Sequence, residues 1–185
     1  MEIFDIVDEQ GRPTGETVER SKAHAEGILH RTAHVWIMRI KEGRPQVILQ
    51  KRSPHKDSFP DCWDTSSAGH ITASQSPVDS AVRELEEELG IRIRKEELKE
   101  AGKIRISYEE TFYGSLFKDE EIAFIYVYEA DPDLYSLKLQ KEEVSEVCWY
   151  DLYELKERTE RNDTRFCADL KSIRALVSYF ENSRK

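Results

Sequence analysis

Between Gly69 and Ile91 the chain reads GHITASQSPVDSAVRELEEELGI, and this stretch restricts the possible folds more than any other. Four glutamates, Glu84, Glu86, Glu87 and Glu88, fall within one and a half helical turns. Glu84, Glu87 and Glu88 stand at i, i+3 and i+4, so a helix lines them along one side. At about 100° per residue, Val78, Ala81, Val82, Leu85 and Leu89 fill an apolar arc, and the three glutamates fill the sector beside it. Glu86 falls outside that sector and belongs in solvent. Like charges so spaced repel by about a few tenths of a kcal/mol per pair, so the row calls for a cation. A hard divalent ion shared between carboxylates and a substrate's phosphates meets that need.

The helix has recognisable ends. Ser76 is suited to the N-cap, Pro77 to the first helical position, and Asp79 to the capping-box position. Gly90 follows the last periodic residue, where a left-handed stop is expected. Upstream, Gly69 ends the strand-like run WDTSSAG and opens a loop. The pattern is a strand, a loop, and a helix whose glutamates face what the loop holds.

At these residues the chain resembles the Nudix hydrolases, whose signature reads Gly-x5-Glu-x7-Arg-Glu-U-x-Glu-Glu-x-Gly-U, with U aliphatic. Gly69, Arg83, Glu84, Leu85, Glu87, Glu88, Gly90 and Ile91 match at the required spacing. Gln75 departs from it, standing where the family has its first glutamate. That family residue chiefly braces the loop, so the change bears on loop geometry more than on metal binding. The resemblance implies an α/β fold, the Nudix α/β/α sandwich with a mixed sheet, as one domain over residues 1–185. It implies Mg²⁺ or Mn²⁺ held by Glu84, Glu87 and Glu88, with Gly69, Arg83 and Gly90 structural. The bland alternative is an amphipathic helix with an acidic, solvated face.

At 185 residues and 38% hydrophobic content, the chain can bury one substantial core. A formal charge of −9 argues against a nucleic-acid polymer or an anionic membrane as partner. It does not exclude a small-molecule diphosphate, because divalent cations and a local basic patch reverse the sign. No apolar run approaches a membrane span, and MEIFDIVDEQ lacks the features of a signal peptide. Cys62, Cys148 and Cys167 are odd in number and far apart in sequence, which suits reduced thiols in a cytoplasmic protein.

Strand character falls at Glu2–Asp8, Thr32–Ile40, Val47–Arg52, Lys103–Tyr108, Glu121–Glu129 and Val144–Tyr150. Helices are expected over Ser21–Glu26, Asp151 to about Arg158, and about Thr164 to Asn182. In the last, Phe166, Leu170, Ile173, Leu176, Val177 and Phe180 form the buried stripe. Oligomeric state is open, a homodimer being one alternative.

Outside the motif, FDIVDEQGRPTGE, ILHRTAHVWIM and QKRSPHKDSFPDCWDTSSAGH resemble the layout of the isopentenyl-diphosphate-isomerase branch. That resemblance implies a second metal set, His24, His30, His70, Asp119 and Glu121, although the His24–His30 gap is one residue shorter. It also implies Arg52 and Lys56 as the diphosphate-binding pair, for which charge-assisted hydrogen bonds are suited. On residue type alone, the histidines also read as packed or capping residues and Arg52 and Lys56 as loop charges. Asp119, Glu120 and Glu121 also read as a solvated strand entrance, and Phe59 and Trp63 as wall or core. Two departures weigh against isomerisation. The isomerase has a cysteine before the motif glycine, where this chain has Ala68, and its own motif is degraded, whereas all three glutamates stand here.

The expected chemistry is water attack on a diphosphate phosphorus, with Glu84, Glu87 or Glu121 as general base. Arg83 is expected to tie loop to helix. The segment Tyr108–Lys118 (YEETFYGSLFK) is expected to contribute to the substrate pocket. The rivals are a prenyl-diphosphate isomerase using another acid, and a non-catalytic nucleotide-binding module.

Overall fold

A computed structural model of the chain describes residues 2–183. Residues 1, 184 and 185, which the sequence reading includes in the domain, lie outside the described residues. The elements in order are β1 (Ile3–Val7), β2 (Pro13–Glu19), α1 (Arg20–Glu26), β3 (His30–Lys41), β4 (Arg44–Arg52), β5 (Trp63–Asp64), β6 (Ser67–His70) and α2 (Pro77–Leu89). There follow β7 (Leu98–Phe112), β8 (Ser115–Glu129), β9 (Val144–Asp151), α3 (Leu152–Glu160) and α4 (Leu170–Asn182). A mixed sheet runs β5-β4-β3-β8-β7, with β6 beside β3 and β9 beside β4. Only the central β3–β8 pair is parallel; the other ladders of this sheet are antiparallel.

Alternation along the strands builds a core on each face. Ala33, Val35 and Ile37 of β3 and Ile48 of β4 pack with Ala81, Leu85 and Leu89 of α2. The intervening Trp36, Met38, Val47 and Leu49 pack with Leu152 and Leu155 of α3 and Ile173, Leu176 and Phe180 of α4. Leu85 and Leu89 are fully buried, which stabilises the helix against the sheet by about 1.5–3 kcal/mol each. This is the expected sandwich. A separate hairpin, β1–β2, closes with α1 over Phe4, Val18 and Ala23.

Two expectations need correction. The last helix begins at Leu170, not near Thr164, because Asp169 caps it by accepting from the Lys171 amide. Residues 164–169 instead turn and pair with Trp63, so Phe166 reaches the core from an extended segment. Strands β7 and β8 are much longer than the expected Lys103–Tyr108 and Glu121–Glu129. Consequently Tyr108–Lys118 is the end of a long hairpin, with its turn at Tyr113–Gly114.

Candidate active site

The acidic helix is capped much as its sequence suggests. Ser76 Oγ accepts from the Asp79 amide at 3.2 Å and donates to the Asp79 carboxylate at 2.6 Å. Gly90 is left-handed at φ 70° and closes the helix. Gln75 still braces the loop: its side-chain oxygen accepts from Ser80 Oγ at 3.1 Å and its carbonyl from Arg31 at 3.3 Å.

The three glutamates occupy different depths. Glu88 is 4% exposed and accepts from the Ala68 amide at 3.2 Å. Burial pushes its carboxyl up to about 8, reinforced by Glu84. Glu84 lies directly over Gly69, where a Cβ would overlap its carboxylate. Here the glycine serves close approach rather than a special φ. Burial raises Glu84 to about 7, against the pull of Arg83. Glu87 is half-exposed. Arg83 reaches Glu84 at 2.7 Å, Glu87 at 2.8 Å and the His70 carbonyl at 3.3 Å. Glu86 points into solvent and pairs with Arg92.

The second group assembles where strand register brings distant residues together. His30 is paired in register with Glu121, and Tyr108 with Asp119. Asp119 and Glu121 are two apart and share a face, whereas Glu120 points away to Arg105 and Ser107. His30 donates from Nδ1 to the Ile28 carbonyl at 2.8 Å, which leaves the Nε2 lone pair free. That Nε2 lies 4.0 Å from Asp119 Oδ1 and 3.8 Å from Glu121 Oε1, and neither it nor Asp119 Oδ1 has a hydrogen-bond partner. His24 Nε2 and His70 Nε2 are 3.2 Å apart. One set of facing ligand atoms comes from His24, His30 and His70, and another from His30, Asp119 and Glu121.

Burial holds the rings of His24, His30 and His70 in the neutral form, with His30 pushed down to about 4. Burial, then the neighbouring Asp119, raises the Glu121 carboxyl well above its usual range, although Thr32 donates to it at 3.0 Å. Neutral imidazole lone pairs facing buried carboxylates are a donor set without its acceptor. Such a set fits a divalent ion that takes nitrogen and oxygen ligands. The buried Glu84, over a bare glycine, and Glu88, on the neighbouring Ala68 amide, likewise fit a hard oxygen-seeking cation.

Both groups face one cleft of about 350 Å³, with Arg52, Lys56 and Glu143 on its rim or walls. Arg52 donates to the Ser58 carbonyl at 2.9 and 3.0 Å and pairs with Asp64 at 3.1 Å. Lys56 makes a tight ion pair with Glu143. The two expected phosphate ligands therefore already have partners within the chain. Phe59 lines the cleft as a wall, whereas Trp63 packs against the core.

Tyr108 and Phe117 of the segment Tyr108–Lys118 line the cleft, and Phe117 stacks on His24 at 4.2 Å. Other residues at the site escaped the sequence reading. Phe4, fully buried, stacks on both His30 and His70 at 4.8 and 4.6 Å. Thr32 follows from strand alternation once the register is known. Glu143 stands in a turn, where no periodicity marks it.

The fold is thus a mixed sheet between two helical layers, with a capped acidic helix and the basic residues Arg52 and Lys56 around one cleft. The chain belongs to the Nudix family: the family model of the NUDIX domain matches residues 29–170. It is 41% identical over 150 residues to Nudix hydrolase 3 of Arabidopsis thaliana, covering 79% of this chain and 19% of that protein. It is 34% identical over 155 residues to an isopentenyl-diphosphate Delta-isomerase of Dinoroseobacter shibae, covering 84% of this chain and 80% of the other. The chain thus spans about a fifth of the Arabidopsis relative's length. A crystal structure from Deinococcus radiodurans superposes with a TM-score of 0.67 at 19% identity, over 94% of this chain and 98% of that one. At that identity the likeness concerns the fold.

Proposed function

We propose that this protein is a metal-dependent hydrolase of a diphosphate bond in a nucleoside-diphosphate-X or related organic diphosphate. The observation that carries the reading is that Glu84, packed over Gly69, and Glu88, held on the Ala68 amide, both largely buried, share one cleft with Arg52 and Lys56. Glu84, Glu87 and Glu88 would hold Mg²⁺ or Mn²⁺. When bound, the ion supplies neutralisation of phosphoryl charge and acidification of water.

The chain's own residues do the rest. Arg52 presents a guanidinium already oriented by Ser58 and Asp64, so little freedom is lost when it meets a phosphate. Lys56 must exchange Glu143 for the substrate, which neutralises the incoming charge without opening a new cavity. A carboxylate accepts the proton of the attacking water: Glu84 or Glu87 from the helix, or Glu121 from β8. Arg83 keeps Glu84 and Glu87 in position and does not need to touch substrate.

The His24, His30, His70, Asp119 and Glu121 cluster favours a second reading, a prenyl-diphosphate isomerase, and similar proteins carry the isopentenyl-diphosphate Delta-isomerase name. Ala68 counts against it, because that side chain neither gives nor takes a proton.

The deciding experiment screens diphosphate compounds with Mg²⁺ or Mn²⁺ and identifies the fragments released. Cleavage to phosphate esters supports the hydrolase. Deuterium incorporated from heavy water into an allylic product, with the diphosphate intact, supports the isomerase. Tight nucleotide binding without turnover under any metal or pH would instead make the chain a binding module.

A further inference from the structure

Cys62 and Cys167 are far apart in sequence, but the fold sets them side by side next to the cleft. Trp63 bridges in parallel to Phe166, with the Trp63 amide donating to the Arg165 carbonyl at 2.8 Å. The Cys167 amide donates back to the Trp63 carbonyl at 2.9 Å. These bonds clamp the two segments on either side of the thiols. The Cys62 thiol reaches the Thr164 carbonyl and the Cys167 thiol the Trp63 carbonyl, each at 3.6 Å. Each thiol therefore rests on the backbone of the other's segment, and the two lie close enough to influence each other's ionisation. Both are free and partly accessible, and Cys167 lines the cleft itself.

We propose that Cys62 and Cys167 form an oxidisable dithiol that a peroxide converts to an intramolecular disulfide beside the cleft. The environment divides the roles. Contact with the Cys167 thiol lowers Cys62 to about 7, with Arg52 also favouring the thiolate and burial, Asp64 and Asp61 opposing it. The same contact and burial raise Cys167 well above the ordinary thiol range. Cys62, the more exposed of the two, is assigned as the attacking sulfur and the deeper Cys167 as the resolving one.

In the first step the Cys62 thiolate attacks one peroxide oxygen. An S–O bond forms, the O–O bond breaks, and the departing hydroxide takes a proton to become water. In the second step the Cys167 sulfur attacks Cys62. The S–S bond forms, the S–O bond breaks, and the Cys167 proton leaves with the hydroxide as a second water. Two thiols lose two electrons in all, and one peroxide becomes two waters. The bond would tie the end of the Arg52–Asp64 segment, which carries Lys56 and Phe59, to the segment entering α4.

Cys148 supplies an internal control, since it packs against the core from β9 and burial pushes its thiol to about 11. The test treats the full chain with equimolar hydrogen peroxide, blocks remaining thiols with N-ethylmaleimide, and maps peptides without reductant. The expected product is a monomer with the Cys62 and Cys167 peptides joined and two hydrogens lighter, Cys148 being recovered as its maleimide adduct. In Cys167→Ser, Cys62 should be trapped by dimedone as a sulfenic acid at least tenfold faster than Cys148. Recovery of Cys62 and Cys167 as maleimide adducts after the peroxide treatment would overturn the proposal. So would cross-links that join only separate chains. The native-chain result stands on its own if the variant fails to fold.

Discussion

Glu86, Glu87 and Glu88 are consecutive, yet only the latter two belong to the proposed metal-binding row, and this makes the assignment testable residue by residue. Glu87→Gln and Glu88→Gln should each lower metal-dependent turnover by roughly 10²-fold or more, on the scale of lost base or electrostatic terms. Glu86→Gln removes only a surface pair with Arg92, and turnover should stay within about twofold, since exposed pairs contribute little. Comparable losses in all three variants would show that the helix is phased wrongly. Gly69→Ala places a methyl where the Glu84 carboxylate lies. Mn²⁺ affinity, followed by electron paramagnetic resonance, should therefore fall in a chain that still folds. Unchanged affinity would mean that Glu84 does not bind the ion from this position.

At the scale of elements, α2 is held by its caps as well as by its apolar face. Ser76→Ala removes the acceptor of the Asp79 amide and should cost about 1 kcal/mol. In urea the midpoint should fall with the slope unchanged, and no change in midpoint would remove the cap from the account. The box helix, β3 and the C-terminal helix were legible from the sequence because their periodicity is strong. The ends of β7 and β8 were not, because Glu109, Glu110 and Lys118 carry no strand-like alternation and pair only because the hairpin extends past the core. The start of α4 was misjudged for a related reason. Phe166 fits a helical stripe by spacing, and only its pairing with Trp63 removes it from the helix.

The protonation of the whole molecule opposes stability on two sides. Folded Glu84 and Glu88 keep protons up to about 7 and about 8 that the unfolded chain has released above 4.5. This penalty is absent below the unfolded value and grows as pH rises through the folded ones. The buried histidines act in reverse: His30, lowered to about 4, adds stability as pH rises towards 6.5 and nothing further beyond it. The metal-free protein should thus lose melting temperature between about pH 7 and 8.5, after the histidine gain has ended. Mg²⁺ favours the ionised carboxylates, so the gain it confers should be larger at pH 8.5 than at pH 6. Melting curves with Mg²⁺ or with a chelator test this, and a metal-induced gain independent of pH would contradict it. Among the described residues no helix is long and apolar enough to cross a membrane.

The spacing of Gly69, Arg83, Glu84, Glu87, Glu88 and Gly90 was enough to identify an acidic, capped helix and its family, because helical geometry is local and repeats every few residues. Tertiary structure alone decided the rest. Parallel pairing of β3 with β8 set His30 against Glu121, packing laid Phe4 on two histidines, and a turn before β9 brought Glu143 to Lys56. Such contacts depend on strand register and chain reversal, which couple residues too distant in sequence for any local period to record.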